Sequence, residues 1–495
     1  MKNTFPVELS PTLPQKKVAG IPYLLVLLLV IFTPYEDFIL KFIPGPDSIY
    51  FYSRFIRELL IYSIFSLVMI NRIVSRKPFQ GTPLDLPIFL FFVVALLSAL
   101  VNGIPLVKCL INMRPLIRYI ALYYLAVNMD LTSEQSRTII RAAIIAGVVE
   151  LGVGILQYVS RGLLDPILLP RATDIEVGGM TKAFVLLYGR EIGSIYGTTG
   201  DTVLFGVYMV LVFILVLAEF HIGATGFFKG TDQPDTKAKQ TRRNIAYALM
   251  LLIAFAIVLT YVRACFFAIL IIATLHFSAS LSNLKKALAL VTLAVLMITT
   301  PIVLSQLSLR YQGNARMTEQ SAIDDILGVF TPAYVSQART QRLGAIFGVG
   351  PVVIENKPLL GYGPDQLGAI EDINLSRSEY LTKVWTEEGF KDVYWVAILT
   401  FYGLAGLFVI MWLFYRTYSA AQSLYKASDD RQIKQLSLIV MYVVVATSFV
   451  MFFNRSLEFR IYGTYFWLLP GLLFGLANRP AAKGTLSVRA TQGLK

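Results

Sequence analysis

Histidine is almost missing from this chain: His221 and His276 are the only two in 495 residues. A histidine-rich metal site is thereby excluded, and no HExxH pair is present. Cysteine is equally scarce, with Cys109 and Cys265 alone and no CxxC, so neither a thiolate metal centre nor a disulfide framework is available. No GxxxxGK[ST] loop occurs, which removes an intrinsic nucleotide motor. Charged residues make up only 15% of the chain. The net charge of +13 comes without any RNP, zinc-finger or helix-turn-helix pattern, and nucleic acid is not an expected partner. Internal repeats, low-complexity tracts and linkers between soluble domains are absent as well. The first apolar run is not followed by a small-residue cleavage site, so it reads as a retained span rather than a signal peptide.

What the chain has is apolar length. Hydrophobic residues are 56% of the total, and the intervals between charge clusters reach the roughly 20 residues that cross a bilayer. A β-barrel would instead alternate over ~10-residue segments. The fold class expected is an all-α integral membrane protein with about twelve transmembrane helices. Their windows run 21–42, 55–70, 84–101, 115–129, 138–158, 203–220, 244–262, 264–280, 287–304, 393–415, 435–453 and 461–477. Pro34, Glu36 and Asp37 interrupt the first of these.

Orientation follows from lysine and arginine, which favour cytoplasmic connectors. With the amino terminus inside, the inner connectors carry Arg72, Arg76 and Lys77; Arg137 and Arg141; Lys229, Lys237, Lys239, Arg242 and Arg243; Lys285 and Lys286; and Arg416, Lys426, Arg431 and Lys434. The tail adds Arg479, Lys483 and Arg489. Span count and charge rule therefore agree. The expected division is a membrane domain over 1–304 with an outer loop at about 160–202, a large extracytoplasmic loop over 305–392, spans ten to twelve over 393–477, and a cytoplasmic tail over 478–495. Both cysteines fall near the outer face, where buried free thiols are expected more than a disulfide. Both histidines fall at the inner ends of spans six and eight, which leaves no histidine base for the outer face.

The residues that cost most to hold in a membrane are the candidate site. Arg263 lies between two apolar runs at the outer turn of a tight hairpin, where an arginine either snorkels to the headgroups or contacts an anion. Arg114 and Arg118, four apart, share one helical face at the same level. Arg339 and Arg342, three apart in the large loop, share a face wherever that stretch is helical. Guanidinium groups gathered at one level suit a bidentate grip on phosphate or diphosphate. Glu150 lies mid-span and is either a site carboxylate or a structural partner of a neighbouring span. Asn454, Arg455, Glu458 and Arg460 crowd the outer connector before span twelve, as a salt-bridged cap or a substrate rim. Asp392, Glu388 and Asp365 are the loop carboxylates nearest the membrane boundary.

Four short motifs then give a resemblance. Leu-Thr-Tyr-Val-Arg263 is similar to the Thr-x-Ser-Arg step of the O-antigen ligase/O-antigen polymerase superfamily. Arg190-Glu-Ile-Gly-Ser-Ile-Tyr-Gly-Thr-Thr-Gly-Asp201 resembles its outer loop before a span. Lys357-Pro-Leu-Leu-Gly-Tyr-Gly363 resembles its Pro-Leu-Leu-Gly-x-Gly turn, and Phe401-Tyr-Gly-Leu-Ala-Gly-Leu407 its Gly-Leu-x-Gly-Leu helix. The order and placement of the motifs, from span four to span twelve, carry the likeness. The Pro-Asn of the earlier loop is replaced around Asp201 and Thr202, and the His-Asn pair of ligases falls on Asp392 and Val393. The resemblance implies a metal-independent, cofactor-free glycosyltransferase of the bacterial inner membrane, working on its outer side. Its partners would be a polyprenyl diphosphate-linked glycan, a sugar or lipid acceptor and polysaccharide assembly proteins. Polymerase is favoured over ligase because the histidine is replaced. The runner-up is a secondary transporter of a small anion with Glu150 and Arg263 along its path, although neither broken helices nor paired repeats are legible. Within the first reading, Arg263, Arg339 and Arg342 steady the leaving diphosphate and Asp392 accepts the acceptor's proton.

The topology is directly testable. Reporter fusions at Thr231 and Ser428 are expected to read cytoplasm, and fusions at Thr173 and Ala369 the outer side. An inside signal at Ala369 would put the loop carboxylates in the wrong compartment.

Overall fold

The computed structural model describes residues 20–160, 163–169, 176–177, 180–181, 194–225, 236–260, 262–278, 346, 349–365 and 393–479. Within them the chain is helical apart from one antiparallel pair, β1 (Glu176–Val177) and β2 (Met180–Thr181). The helices are α1 (Gly20–Phe32), α2 (Glu36–Leu40), α3 (Asp47–Ser53), α4 (Ile56–Val74), α5 (Asp85–Val101), α6 (Leu106–Asn128), α7 (Ser133–Val159), α8 (Asp165–Leu168) and α9 (Thr202–Ile222). They continue with α10 (Thr236–Leu259), α11 (Arg263–Ser278), α12 (Gly350–Asn356), α13 (Tyr394–Ala427), α14 (Arg431–Val450) and α15 (Arg460–Ala477).

Five stretches among the described residues are long and apolar enough to cross a membrane: Gly20–Leu40, Ser133–Val159, Thr202–Ile222, Tyr394–Ala427 and Arg431–Val450. The chain is thus a helical, membrane-embedded protein. The expected windows fall on helices except for 287–304, which lies outside the described residues, as do Lys285 and Lys286. Span one is broken where its charges predicted: α1 gives way to a 3-10 turn over Thr33–Tyr35 before α2. Span four differs from the expectation. Its helix starts at Leu106 and runs through Pro115, because a proline removes only one intrahelical bond and neighbouring helices hold the rod. Arg416 and Lys426, expected on a connector, lie on α13 itself, which at 34 residues and ~1.5 Å per residue outruns a bilayer core.

Two helices sit at the centre. Every residue of α9 from Phe205 to Glu219 is buried, as is every residue of α15 from Ile461 to Ala477. Such all-round apolarity marks a helix enclosed by other helices. Small residues set the close approaches: a Cβ at Gly471 would meet Tyr123 O at 2.7 Å, and one at Gly147 would meet the Val212 side chain. This is the small-residue packing that membrane helices use where hydrophobicity alone gives no attraction. Helix ends are capped conventionally: Thr132 and Gln135 form a reciprocal capping box on α7, and Asp201 accepts from the N–H groups of Val203 and Leu204 on α9.

The connectors gather at two opposite ends. At one, Asp130 accepts from Arg72, Lys77 and Gln80, and Arg479 donates to its carbonyl. There too His221 stacks edge-on against His276, whose Nδ1 lies 3.0 Å from the Tyr442 hydroxyl. The other end carries Asp37, Arg54, Lys108, Arg118, Thr198, Asp365 and Arg460.

α13 is not one helix but two. Gly403 has φ 65° and ψ −164°, a region open essentially to glycine alone. An unbroken helix would bond Leu404 N to Thr400 O and Ala405 N to Phe401 O. Here Leu404 N donates to Pro358 O and Ala405 N to Leu359 O, while Thr400 O and Phe401 O accept from Tyr362 N and Gly363 N. The turn 357–363 is therefore inserted into the break and takes all four freed groups, which a membrane interior requires. Ser98 adds a shared hydroxyl donation to Leu360 O and Phe401 O, and Asn102 donates to Gly361 O. The broken helix that the sequence did not reveal is present, and the reason it was missed is plain: no proline marks it.

Gly361 and Gly403 meet backbone to backbone, since a Cβ on either would come within 2.3 Å of the other segment's carbonyl. Gly403→Ala or Gly361→Ala is expected to destabilise the bundle by at least ~3 kcal/mol, from strain plus steric overlap. Folded yield in detergent and the thermal midpoint of purified protein measure it; an unchanged midpoint would mean that the break tolerates a side chain.

Candidate functional site

The polar end around Arg460 is built from helix termini. α2, the C-cap of α3 and the start of α4 bring a run of charges: Glu36, Asp37, Arg54, Arg57 and Glu58. Arg57 Nη1 lies 2.9 Å from Glu36 Oε2, and both side chains are almost wholly buried. Arg460, first residue of α15, reaches Asp37 at 2.8 Å and Glu36 at 3.8 Å, and Arg54 Nε stands 3.6 Å from Asp37. The neighbouring Glu58 turns to α6, where it pairs with Arg118 and, at 3.5 Å, with Arg114. Arg118 also donates to the Tyr119 hydroxyl at 2.9 Å. Arg455 closes the group with Glu458 at 3.5 Å. Six guanidinium groups thus stand against four carboxylates, a surplus of two positive charges among the described residues.

A cavity of about 210 Å³ opens beside this network. Its walls include Glu36, Asp37, Arg54, Thr199, Glu458 and Arg460. Thr199 is placed there by α7. Glu150 accepts from the Thr198 N–H at 2.7 Å and its hydroxyl at 2.6 Å, and Gln157 Oε1 accepts from Tyr196 N and Gly197 N. Gly197 leaves room for the carboxylate, since a Cβ there would sit 2.1 Å from Glu150 Oε1. Outside the spans, burial raises the Tyr196 hydroxyl's pKa above its ordinary value and the nearby Asp165 carboxylate adds to the shift, so it stays protonated at neutral pH.

The resembling segments meet in pairs. Ile195 N donates to Leu259 O at 3.2 Å, joining the 194–201 connector to the hairpin that ends at Arg263. The turn 357–363 and the 401–407 helix interlock as described above. Lys357 anchors the turn by donating to Asn102 Oδ1, and Lys108 holds Asp365 at 2.6 Å.

Placed residue by residue, the candidates divide. Arg114 and Arg118 do share a face, yet Arg118 is buried in its pair with Glu58 and only Arg114, with a 44% exposed side chain stacked on Phe55, is open to a ligand. Glu150 holds a turn rather than lining the cavity. Asp365 is tied to Lys108 and buried. Arg455 caps Glu458 at the cavity rim. Arg263 begins α11, half-buried, at the same end. Asp392, Glu388, Arg339 and Arg342 lie outside the described residues. The N-cap of α13 is Val393, which makes no side-chain capping bond. Cys109 and Cys265 are buried free thiols. Among the described residues, no three histidine, cysteine, aspartate or glutamate side chains form a metal-holding group.

Sequence reasoning passed over Arg54, Arg57 and Glu58. The signal was present: two charges open the second apolar window, and an ionisable group there needs a partner. No family model matches the chain, and no curated protein matches it either.

Removing one member of a buried pair leaves the other uncompensated. Arg57→Met is expected to cost about 3–5 kcal/mol, and the double variant Glu36→Leu/Arg57→Met to recover most of that loss. Denaturation of the purified protein decides it; equal losses in single and double variants would show that the pair is not coupled.

Proposed function

We propose that this protein is a membrane glycosyltransferase of the O-antigen polymerase/ligase type. It transfers glycan from a polyprenyl diphosphate carrier to a sugar acceptor in surface polysaccharide synthesis, on the outer side of a bacterial inner membrane. The observation that carries the reading is the pairwise contact of the four resembling segments at one charged end of the bundle. These segments lie far apart in sequence, and a common task explains their meeting there.

In this reading about twelve spans wall the lipid carrier. The acceptor hydroxyl oxygen attacks the anomeric carbon, the bond from that carbon to the diphosphate oxygen breaks, and the hydroxyl proton passes to a carboxylate. Negative charge builds on the leaving diphosphate, and preorganised arginines steady it. Arg263, Arg339 and Arg342 take that role, with Arg114 at the margin; Arg118 is spent on Glu58. Asp392, eleven residues before Gly403, is the proton acceptor where ligases carry histidine, and Glu388 is the next carboxylate. The substitution favours polymerase over ligase proper.

One observation favours a second reading, transport of a small anion: α13 is discontinuous, as transporter helices at substrate sites are. In those proteins the freed backbone groups face the substrate. Here the turn 357–363 occupies them, so polysaccharide assembly remains the conclusion.

Surface-glycan profiles of cells with and without the gene test it. Loss of long chains indicates a polymerase, loss of their attachment to a lipid core a ligase, and an unchanged profile favours transport. Within the enzyme, Arg263→Ala is expected to lower turnover by about two to three orders of magnitude, with only partial rescue by Arg263→Lys, which lacks the planar fork. Asp392→Asn should abolish transfer at normal membrane levels; full activity would remove Asp392 from the reaction.

A further inference from the structure

α7 presents one uncovered face along its whole length. Arg137, Arg141, Ile145, Val149, Gly152 and Leu156 are all exposed. Their spacings of three and four place them on a single stripe of the helix, while Ile144, Gly147 and Leu151 between them are buried against the bundle. On a membrane-spanning helix the apolar part of such a stripe faces lipid chains. The two arginines continue it toward the end that holds Asp130. α7 has 27 residues. Counted back from Val159, the ~20 that cross the apolar core reach about position 140. Arg141 therefore stands at the edge of that core, and Arg137 lies ~6 Å farther toward water at helical rise.

Where the bundle buries a guanidinium, the chain itself supplies the counter-charge: Arg57 has Glu36, Arg72 has Asp130 and Arg118 has Glu58. Among the described residues, the side chains of Arg137 and Arg141 enter no ion pair and no hydrogen bond. Glu134, a further turn toward water on the same stripe, pairs with neither. A guanidinium at the core boundary is costly unless an anion answers it, and here the anion must come from outside the chain. An apolar stripe directly above the two charges matches a phosphate that carries its own hydrocarbon. Two planar forks four residues apart suit its oxygens. An acyl chain can then follow Ile145 and Val149 to Gly152, where a Cβ would stand in open space. The rise from Arg141 to Gly152 is ~17 Å, close to the ~15 Å of one leaflet's share of the core. A soluble phosphate would bring nothing to the apolar stripe, and a zwitterionic head would set its ammonium against two guanidiniums.

We propose that this face of α7 is a binding site for one anionic phospholipid, its phosphate held by Arg137 and Arg141 and an acyl chain laid along Ile145 to Gly152. The site lies at the opposite end of the bundle from the network around Arg460 and needs nothing from the glycan-transfer reading. In the orientation expected from the charge rule, the lipid comes from the cytoplasmic leaflet.

The test is native mass spectrometry of the purified full-length chain in detergent, given equimolar phosphatidylglycerol and phosphatidylcholine with the same acyl chains. Each cation near a membrane surface favours an anionic lipid by roughly fivefold. The wild-type chain is therefore expected to retain a single phosphatidylglycerol over phosphatidylcholine by about 10- to 30-fold. Arg137→Gln/Arg141→Gln should bring the two lipids near parity. Arg416→Gln, which removes an exposed arginine of α13, should leave the preference unchanged. Equal retention of both lipids by the wild-type chain, a preference that survives the double variant, or one lost equally in Arg416→Gln would each overturn the proposal. Should the double variant not fold, the wild-type chain decides with diacylglycerol of the same chains in place of phosphatidylcholine: retention of the phosphate-free lipid as strongly as phosphatidylglycerol would sink it.

Discussion

A membrane interior has no water to complete hydrogen bonds, so every polar group that enters it must be answered by another part of the chain. Most of what is distinctive here follows from that constraint. The break at Gly403 frees four backbone groups, and they are met by a turn some forty residues earlier in sequence. The charges on α2 and α4 are met by α6 and α15, from the far end of the chain. In both cases an interaction between distant segments fixes the geometry of the same end of the bundle. The central helices α9 and α15 are then buried all round, and the one carboxylate inside α9, Glu219, is answered by Gln435.

The arginine network has a particular character. Buried ion pairs give little net stability, because desolvation cancels most of the attraction. Their effect is to make alternatives costly: a shift of α2 against α15 would separate Arg460 from Asp37 and expose Glu36 to Arg57 alone.

Much of the helical framework was legible because apolar length and charge clustering are one-dimensional signals. Windows such as 203–220 and 461–477 fall on α9 and α15 nearly residue for residue. What escaped were features defined by contact. Pro115 read as a boundary, yet the helix runs through it. Gly403 read as part of an apolar motif, and nothing local marks it as a break filled by the Lys357 turn. Arg118 read as a phosphate ligand or an interface anchor, because its partner Glu58 lies 60 residues away. Glu36 and Asp37 read as flaws in a span, whereas they form a wall of the cavity. The likeness of four short segments to a known superfamily was visible early, and their contacts in pairs were not.

The turn that plugs α13 has a consequence for the interval between Asp365 and Val393. Tyr362 is bonded to Thr400, and Val393 lies seven residues up the same helix, ~10 Å away at helical rise. The chain therefore departs and returns at nearly one place, with both exits clamped to the bundle. A segment anchored in this way can be lengthened or replaced at small entropic cost, ~0.6 kcal/mol for each doubling of length, without disturbing a single helix. The scaffold is in effect a socket for whatever interval joins Asp365 to Val393.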